Sequence, residues 1–109
     1  MEKQIEYLET NDGKCPYTEW LESLDFSVQA RVLKRIDKLK KGLYGDCKPL
    51  QNSELSELRF DFGKGYRIYY KEIDNVIILI VAGGDKSDQK RLIKQAGKYF
   101  KEYKKGEQK

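Results

Sequence analysis

The sequence contains no histidine. That absence removes the Ser-His-Asp triad, the Cys-His dyad and every histidine-based zinc site, since each needs an imidazole. Cysteine is scarce. Cys15 and Cys47 are the only two, too few for the disulfide framework of a small secreted domain. They read as free thiols, and two thiolates with a distant carboxylate would make a poor zinc site. Long apolar runs are also missing. The longest is Val76 to Ala82, far short of the roughly 20 residues of a membrane helix. Met1-Glu2-Lys3-Gln4 has no apolar signal core. We therefore expect a cytoplasmic protein with no membrane partner. Proline occurs only at positions 16 and 49, and no Pro- or Ser-rich linker, long repeat or low-complexity tract interrupts the chain. The 109 residues are expected to form one domain, 1–109, with 104–109 a frayed polar tail.

Charge is plentiful and unevenly placed. Net charge is only +4, yet residues 31–45 hold six bases and one acid, and residues 86–109 nine bases and three acids. Residues 1–30 hold seven acids and two bases. Two basic segments point to a polyanionic partner. The same charges would also suit lysine-rich helix faces that are merely solvated.

Periodicity supplies the elements. Gln4 to Leu8 reads as a short strand. Pro16 suits the first turn of a helix running to Leu24, because its missing N–H costs nothing there. Asp25 or Ser27 caps a second helix with an apolar stripe at Val28, Val32, Leu33, Ile36 and Leu39, stopped by Gly42. Residues 43–56 read as a connection. The period then changes to two: Leu58, Phe60 and Phe62, a Gly63-Lys64-Gly65 turn, then Tyr66, Ile68 and Tyr70. This hairpin has one apolar face and one polar, basic face. Asp74-Asn75 turns into Val76 to Ala82, apolar throughout and so a strand covered on both sides. Asp85 or Ser87 caps a last helix striped with Leu92, Ile93, Ala96, Tyr99, Phe100 and Tyr103. The expectation is an α+β fold: a short N-terminal strand, two helices, an antiparallel sheet of about four strands and a C-terminal helix.

The chemistry concentrates in 57–89. Arg59 and Arg67 fall on neighbouring strands, opposite in parity to Leu58 and Ile68. Two guanidiniums on one open sheet face form a ready phosphate site. The competing use of both is cross-strand pairing with Glu57, Asp61 or Glu72. Lys64 lies in the turn between them. Lys86 follows the apolar strand where a helix begins and free N–H groups favour an anion. Gly83-Gly84-Asp85 is not a P-loop, because the Gly-Lys-Ser/Thr order is absent. Tyr69 has the parity of Arg67, so on an open face it could stack a base or exchange a proton.

The run Glu57-Leu58-Arg59, then Gly63-Lys64-Gly65-Tyr66-Arg67-Ile68-Tyr69-Tyr70, then Gly83-Gly84-Asp85-Lys86-Ser87 with Gln89 beyond, resembles phage- and plasmid-type addiction-module killer proteins of the RelE/HigB toxin superfamily. The resemblance implies a RelE-like fold and a type II toxin that enters the ribosomal A site and cuts mRNA. It implies no cofactor and no metal: the 2′-hydroxyl attacks the adjacent phosphodiester and basic side chains stabilise the transition state. It implies a cognate antitoxin, often a helix-turn-helix protein, as partner beside the ribosome and mRNA. Carried over residue by residue, it assigns catalysis to Arg67, Arg59, Lys86 and Tyr69, and RNA binding to Lys64, Lys48, Gln89 and Lys90. The chain departs from relatives that use histidines. Where some carry a catalytic tyrosine in the last helix, it has Lys90 and Arg91, so Tyr69, Lys64 and Lys86 stand as alternative bases. Two other readings stay open. One is a ParE-like toxin that inhibits DNA gyrase without cutting RNA, and the other a basic RNA-binding module.

Overall fold

A computed structural model describes residues 2–107. Five strands and three helices run in the order β1 (Gln4–Tyr7), α1 (Pro16–Glu22), α2 (Phe26–Lys40), β2 (Cys47–Pro49), β3 (Ser56–Arg59), β4 (Arg67–Ile73), β5 (Ile77–Gly84) and α3 (Gln89–Glu107). A single 3₁₀ turn, Lys86–Asp88, leads into α3, with Asp85 as its cap.

The strands form one sheet in the order β1-β5-β4-β3-β2. Three pairings are antiparallel, and β1 runs parallel to β5. The α+β class therefore holds, with two corrections to the expected sheet. It has five strands rather than about four, and it is mixed. The added strand, β2, lies inside what reads as a connection. Three residues ending in Pro49 give no alternation to detect, and only their register against β3 makes them a strand. The hairpin is also shorter than its alternation suggests. β3 ends at Arg59, and Phe60 and Phe62 enter a wide turn closed by Tyr66 O accepting from Phe60 N at 3.1 Å. Between β4 and β5, Asp74 and Asn75 both take positive φ at the centre of a turn that Val76 N closes by donating to Ile73 O at 3.0 Å.

The sheet is covered on both faces. On one, Leu58, Ile68, Tyr70, Ile78 and Ile80 pack against Val32, Ile36 and Leu39 of α2, with Trp20 of α1 at the edge. On the other, Tyr69, Leu79, Val81 and Ala82 pack against Ala96 and Phe100 of α3. β5 carries side chains into both layers, which explains its unbroken apolar sequence. The polar hairpin face was expected to be open; instead α3 covers it over β4 and β5. α3 continues through 104–107, part of the segment expected to fray, and Lys104 pairs with Glu54. Gln108 and Lys109 lie outside the described residues. Both cysteines are free thiols. Among the described residues no helix is long and apolar enough to cross a membrane.

Candidate active site

The register decides which charged groups meet. Arg59 and Arg67 are direct cross-strand partners, and Asp46 lies beside Arg59 just before β2. One row thus runs Asp46, Arg59, Arg67, Gly84 across four chain segments. Two residues along, on the same face, the next such row holds Lys48, Glu57, Tyr69 and Ala82.

The two arginines differ in environment. Arg59 is partly exposed and its guanidinium meets Asp46 Oδ1 at 3.0 Å. That partner differs from the Glu57, Asp61 and Glu72 that cross-strand pairing offers. It stands 13 residues away in a segment that reads as connection, so no local pattern pointed to it. Arg67 is only 12% exposed. Its Nη1 donates to the carbonyls of Gly65 and Tyr66, both at 3.1 Å, and its Nε lies 3.8 Å from Glu57 Oε1. Arg67 therefore does take a cross-strand carboxylate, that of Glu57. The carboxylate of Glu57 is fully buried, and its Oε2 accepts from Gln89 Nε2 at 2.7 Å.

Gly65 makes this arrangement possible. Its φ is +71°, and an added Cβ would lie 3.2 Å from Lys86 Cβ and 3.7 Å from Arg67 Nη1. The turn therefore brings the Lys86 stem and the Arg67 guanidinium together over a residue without a side chain. Lys86 N also donates to Lys64 O at 3.4 Å, tying the two basic turns. Asp85 accepts from Ser87 N at 2.9 Å. The Ser87 hydroxyl bond, with Lys64 nearby, holds the Asp85 carboxyl below the ordinary aspartate range. The Lys64 and Lys86 side chains are exposed.

Two expected placements are corrected. Tyr69 has the parity of Arg67 but is fully buried beneath α3. Its hydroxyl makes no hydrogen bond of normal geometry. Burial, with the Glu57 carboxylate beside it, pushes its pKa up. It neither stacks a base nor reaches a substrate proton. Alternation fixed its side of the sheet, whereas the docking of α3 fixed its access. Gln89 is likewise engaged inward, on Glu57, rather than offered to RNA. Lys48 is exposed on the edge strand across from Glu57, and Lys90 is exposed on the first turn of α3. Among the described residues no three His, Cys, Asp or Glu side chains converge on a metal position.

The result is a layered site. A buried group of Glu57, Gln89, Tyr69 and the inner edge of Arg67 lies under a surface of Arg59, Lys64 and Lys86. A guanidinium held this way is oriented before any ligand arrives, and flexible ammonium groups stand around it.

No family model matches the chain. Its structure is similar to that of an arginine double mutant of the Escherichia coli toxin RelE in the free state. The TM-score is 0.64 over 89% of this chain and 95% of that one, at 13% sequence identity. That likeness is one of fold. A Haemophilus influenzae protein, itself uncharacterised, is 41% identical over 81 residues, which is 73% of this chain and 81% of its own length. The chain therefore belongs to one family with that Haemophilus influenzae protein, and it is built on the RelE fold.

Proposed function

We propose that this chain is the toxin of a type II toxin–antitoxin pair, of the HigB-like killer type, and a ribosome-dependent mRNA endonuclease. The observation carrying this reading is the cross-strand pair Arg59 and Arg67 beside Lys86 on a RelE-like sheet. In the reaction proposed, the 2′-hydroxyl of one nucleotide attacks its own 3′-phosphate. The P–O bond to the next nucleotide's 5′ oxygen breaks, leaving a 2′,3′-cyclic phosphate and a 5′-hydroxyl. Charge grows on the non-bridging oxygens as phosphorus becomes pentavalent. Arg67 meets that charge with a preset guanidinium, and Lys86 and Lys64 add mobile ammonium groups. Arg59 joins by exchanging Asp46 for phosphate, a small cost because that ion pair is exposed. Lys48 and Lys90 hold neighbouring phosphates. The base in this reading is Lys64 or Lys86, the exposed amines beside the Arg67 guanidinium. No metal takes part.

The partner is an antitoxin, a helix-turn-helix protein in this reading, that neutralises the basic surface over an interface above about 1,000 Å². Inducible expression in bacteria with mapping of RNA 5′ ends tests the proposal. Growth arrest with new 5′-hydroxyl ends inside translated messages is expected, and rescue by the product of the adjacent small open reading frame. In ribosome complexes, cleavage should persist after chelation that leaves the ribosomes intact. Arrest with intact messages and blocked gyrase supercoiling would replace this reading with the ParE-like one. Binding without arrest would leave a basic RNA-binding module.

A further inference from the structure

The cations around the β3–β4 turn belong to the candidate active site; those of α2 stand apart from it. Arg31, Lys34 and Lys38 are exposed on that helix, with Arg35 half-buried among them. None of the four pairs with a carboxylate among the described residues. The other α2 charges do pair: Lys40 reaches Glu2, and Asp37 joins Lys41. Arg35 acts as a brace. It donates to the carbonyls of Arg59, Tyr44 and Asp46 at 2.8 to 3.1 Å, which fixes α2 to the end of β3 and the approach to β2. The Arg31 guanidinium carbon sits over Phe62, 3.6 Å from the ring centroid. That contact orders the guanidinium while leaving its N–H edge free.

These groups border two connected hollows, of about 320 and 680 Å³, that share Arg35, Lys38 and Asp61. Arg59 lines the larger one. The basic helix face is therefore continuous with the arginine row of the candidate active site. Two acids line the hollows: Asp61, exposed and next to Phe60 and Phe62, and Asp46, which pairs with Arg59.

We propose that this face of α2 is a second binding surface for an RNA sugar–phosphate backbone, engaging strand outside the cleavage site. Identifying the strand as RNA rests on the function proposed above. Spacing and chemistry agree with it. Arg31 to Lys38 spans about 10 Å along the helix at ~1.5 Å per residue. Three exposed cations, Arg31, Lys34 and Lys38, stand along that span, which suits a short run of consecutive phosphates on one strand. The two rings of the smaller hollow, Phe60 and Phe62, are covered by Arg35 and Arg31, so that hollow offers charge rather than the apolar anchor a protein partner uses; the exposed Leu43 lines the larger one.

The test is fluorescence anisotropy with a short labelled oligouridine over a salt series, using the full chain. The triple variant Arg31→Gln, Lys34→Gln, Lys38→Gln is expected to lower the slope of log affinity against log salt by about 2, from ~0.7 per contact on a single strand. At about 0.1 M salt the same arithmetic gives a loss on the order of 100-fold. Because Arg31 packs on Phe62, the double variant Lys34→Gln, Lys38→Gln guards against misfolding. It should lower the slope by about 1.4. An unchanged slope in the folded double variant overturns the proposal. So does an unchanged slope with lost binding to the co-expressed antitoxin, which would give the face to a protein. If the slope falls but expression produces no new RNA ends, the endonuclease reading fails and the RNA surface stands. If new ends appear and the slope holds, only this surface is refuted.

Discussion

Arg67→Ala, the obvious test of a phosphate clamp, removes more than a clamp. Glu57 is fully buried, and its nearest positive charge is Arg67 at 3.8 Å. Coulomb's law at ~4 Å and an effective dielectric near 20 gives an attraction of about 4 kcal/mol. Desolvation opposes much of it in the intact pair. Removing one partner leaves the other buried and unpaired, which typically costs about 3–5 kcal/mol. The uncharged Gln89 amide and Tyr69 hydroxyl would then face Glu57, and neither supplies a positive charge. We expect Arg67→Ala to lose about 3–5 kcal/mol, or roughly 10 °C or more in Tm at this chain length. In a Glu57→Gln background the same truncation removes two carbonyl hydrogen bonds and some packing, about 1–2 kcal/mol. The coupling energy is then about 2–3 kcal/mol, measurable by urea unfolding of the four proteins. A value below about 0.5 kcal/mol, the range of independent sites, would refute the buried-pair argument. The cycle also separates stability from chemistry. A double variant that folds better than Arg67→Ala yet stays non-toxic assigns the loss of toxicity to the missing guanidinium.

Tyr69→Phe removes a buried hydroxyl that lacks a hydrogen-bond partner. Stability should be unchanged or slightly higher and toxicity retained; a fall in RNA cleavage with the fold intact would restore Tyr69 as a catalytic candidate. Gly83→Ala would drive a methyl to 2.2 Å from the Trp20 ring. Overpacking of this kind costs about 1–3 kcal/mol, and an unshifted thermal midpoint would contradict the contact. Glu72 joins Lys3 at 2.8 Å and accepts from the Tyr44 hydroxyl at 2.5 Å. Lys3 first, then Tyr44, holds its carboxyl below the ordinary glutamate value, and burial with that bond pushes Tyr44 up to about 12. A pKa lowered by folding stabilises above the unfolded value near 4.3 and is lost as pH falls through the folded one. Glu72→Gln should therefore cost stability near neutrality, with the gap to wild type closing from about pH 5 downward. A gap that stays constant into acid would rule out the linkage.

The helices were legible because burial on one side writes a period of 3.6 residues into a chain. The stripe Val32, Ile36 and Leu39 is the buried side of α2, and Ala96 and Phe100 that of α3. β5 was legible because it is covered on both faces, and the Asp74-Asn75 turn because few residues accept positive φ. The sequence also determined that Arg59, Arg67 and Tyr69 share a parity. Three matters were left to tertiary structure. β2 is a strand only through its pairing with β3. Asp46 neutralises Arg59 only because β2 brings it there. Tyr69 and Gln89 turn inward, and Glu57 is sealed, because α3 lies across β4 and β5. Side-chain parity is local, set by the alternation of the backbone. Access to solvent is not, since it depends on which distant segment docks on that face, and an isolated strand carries no record of its cover.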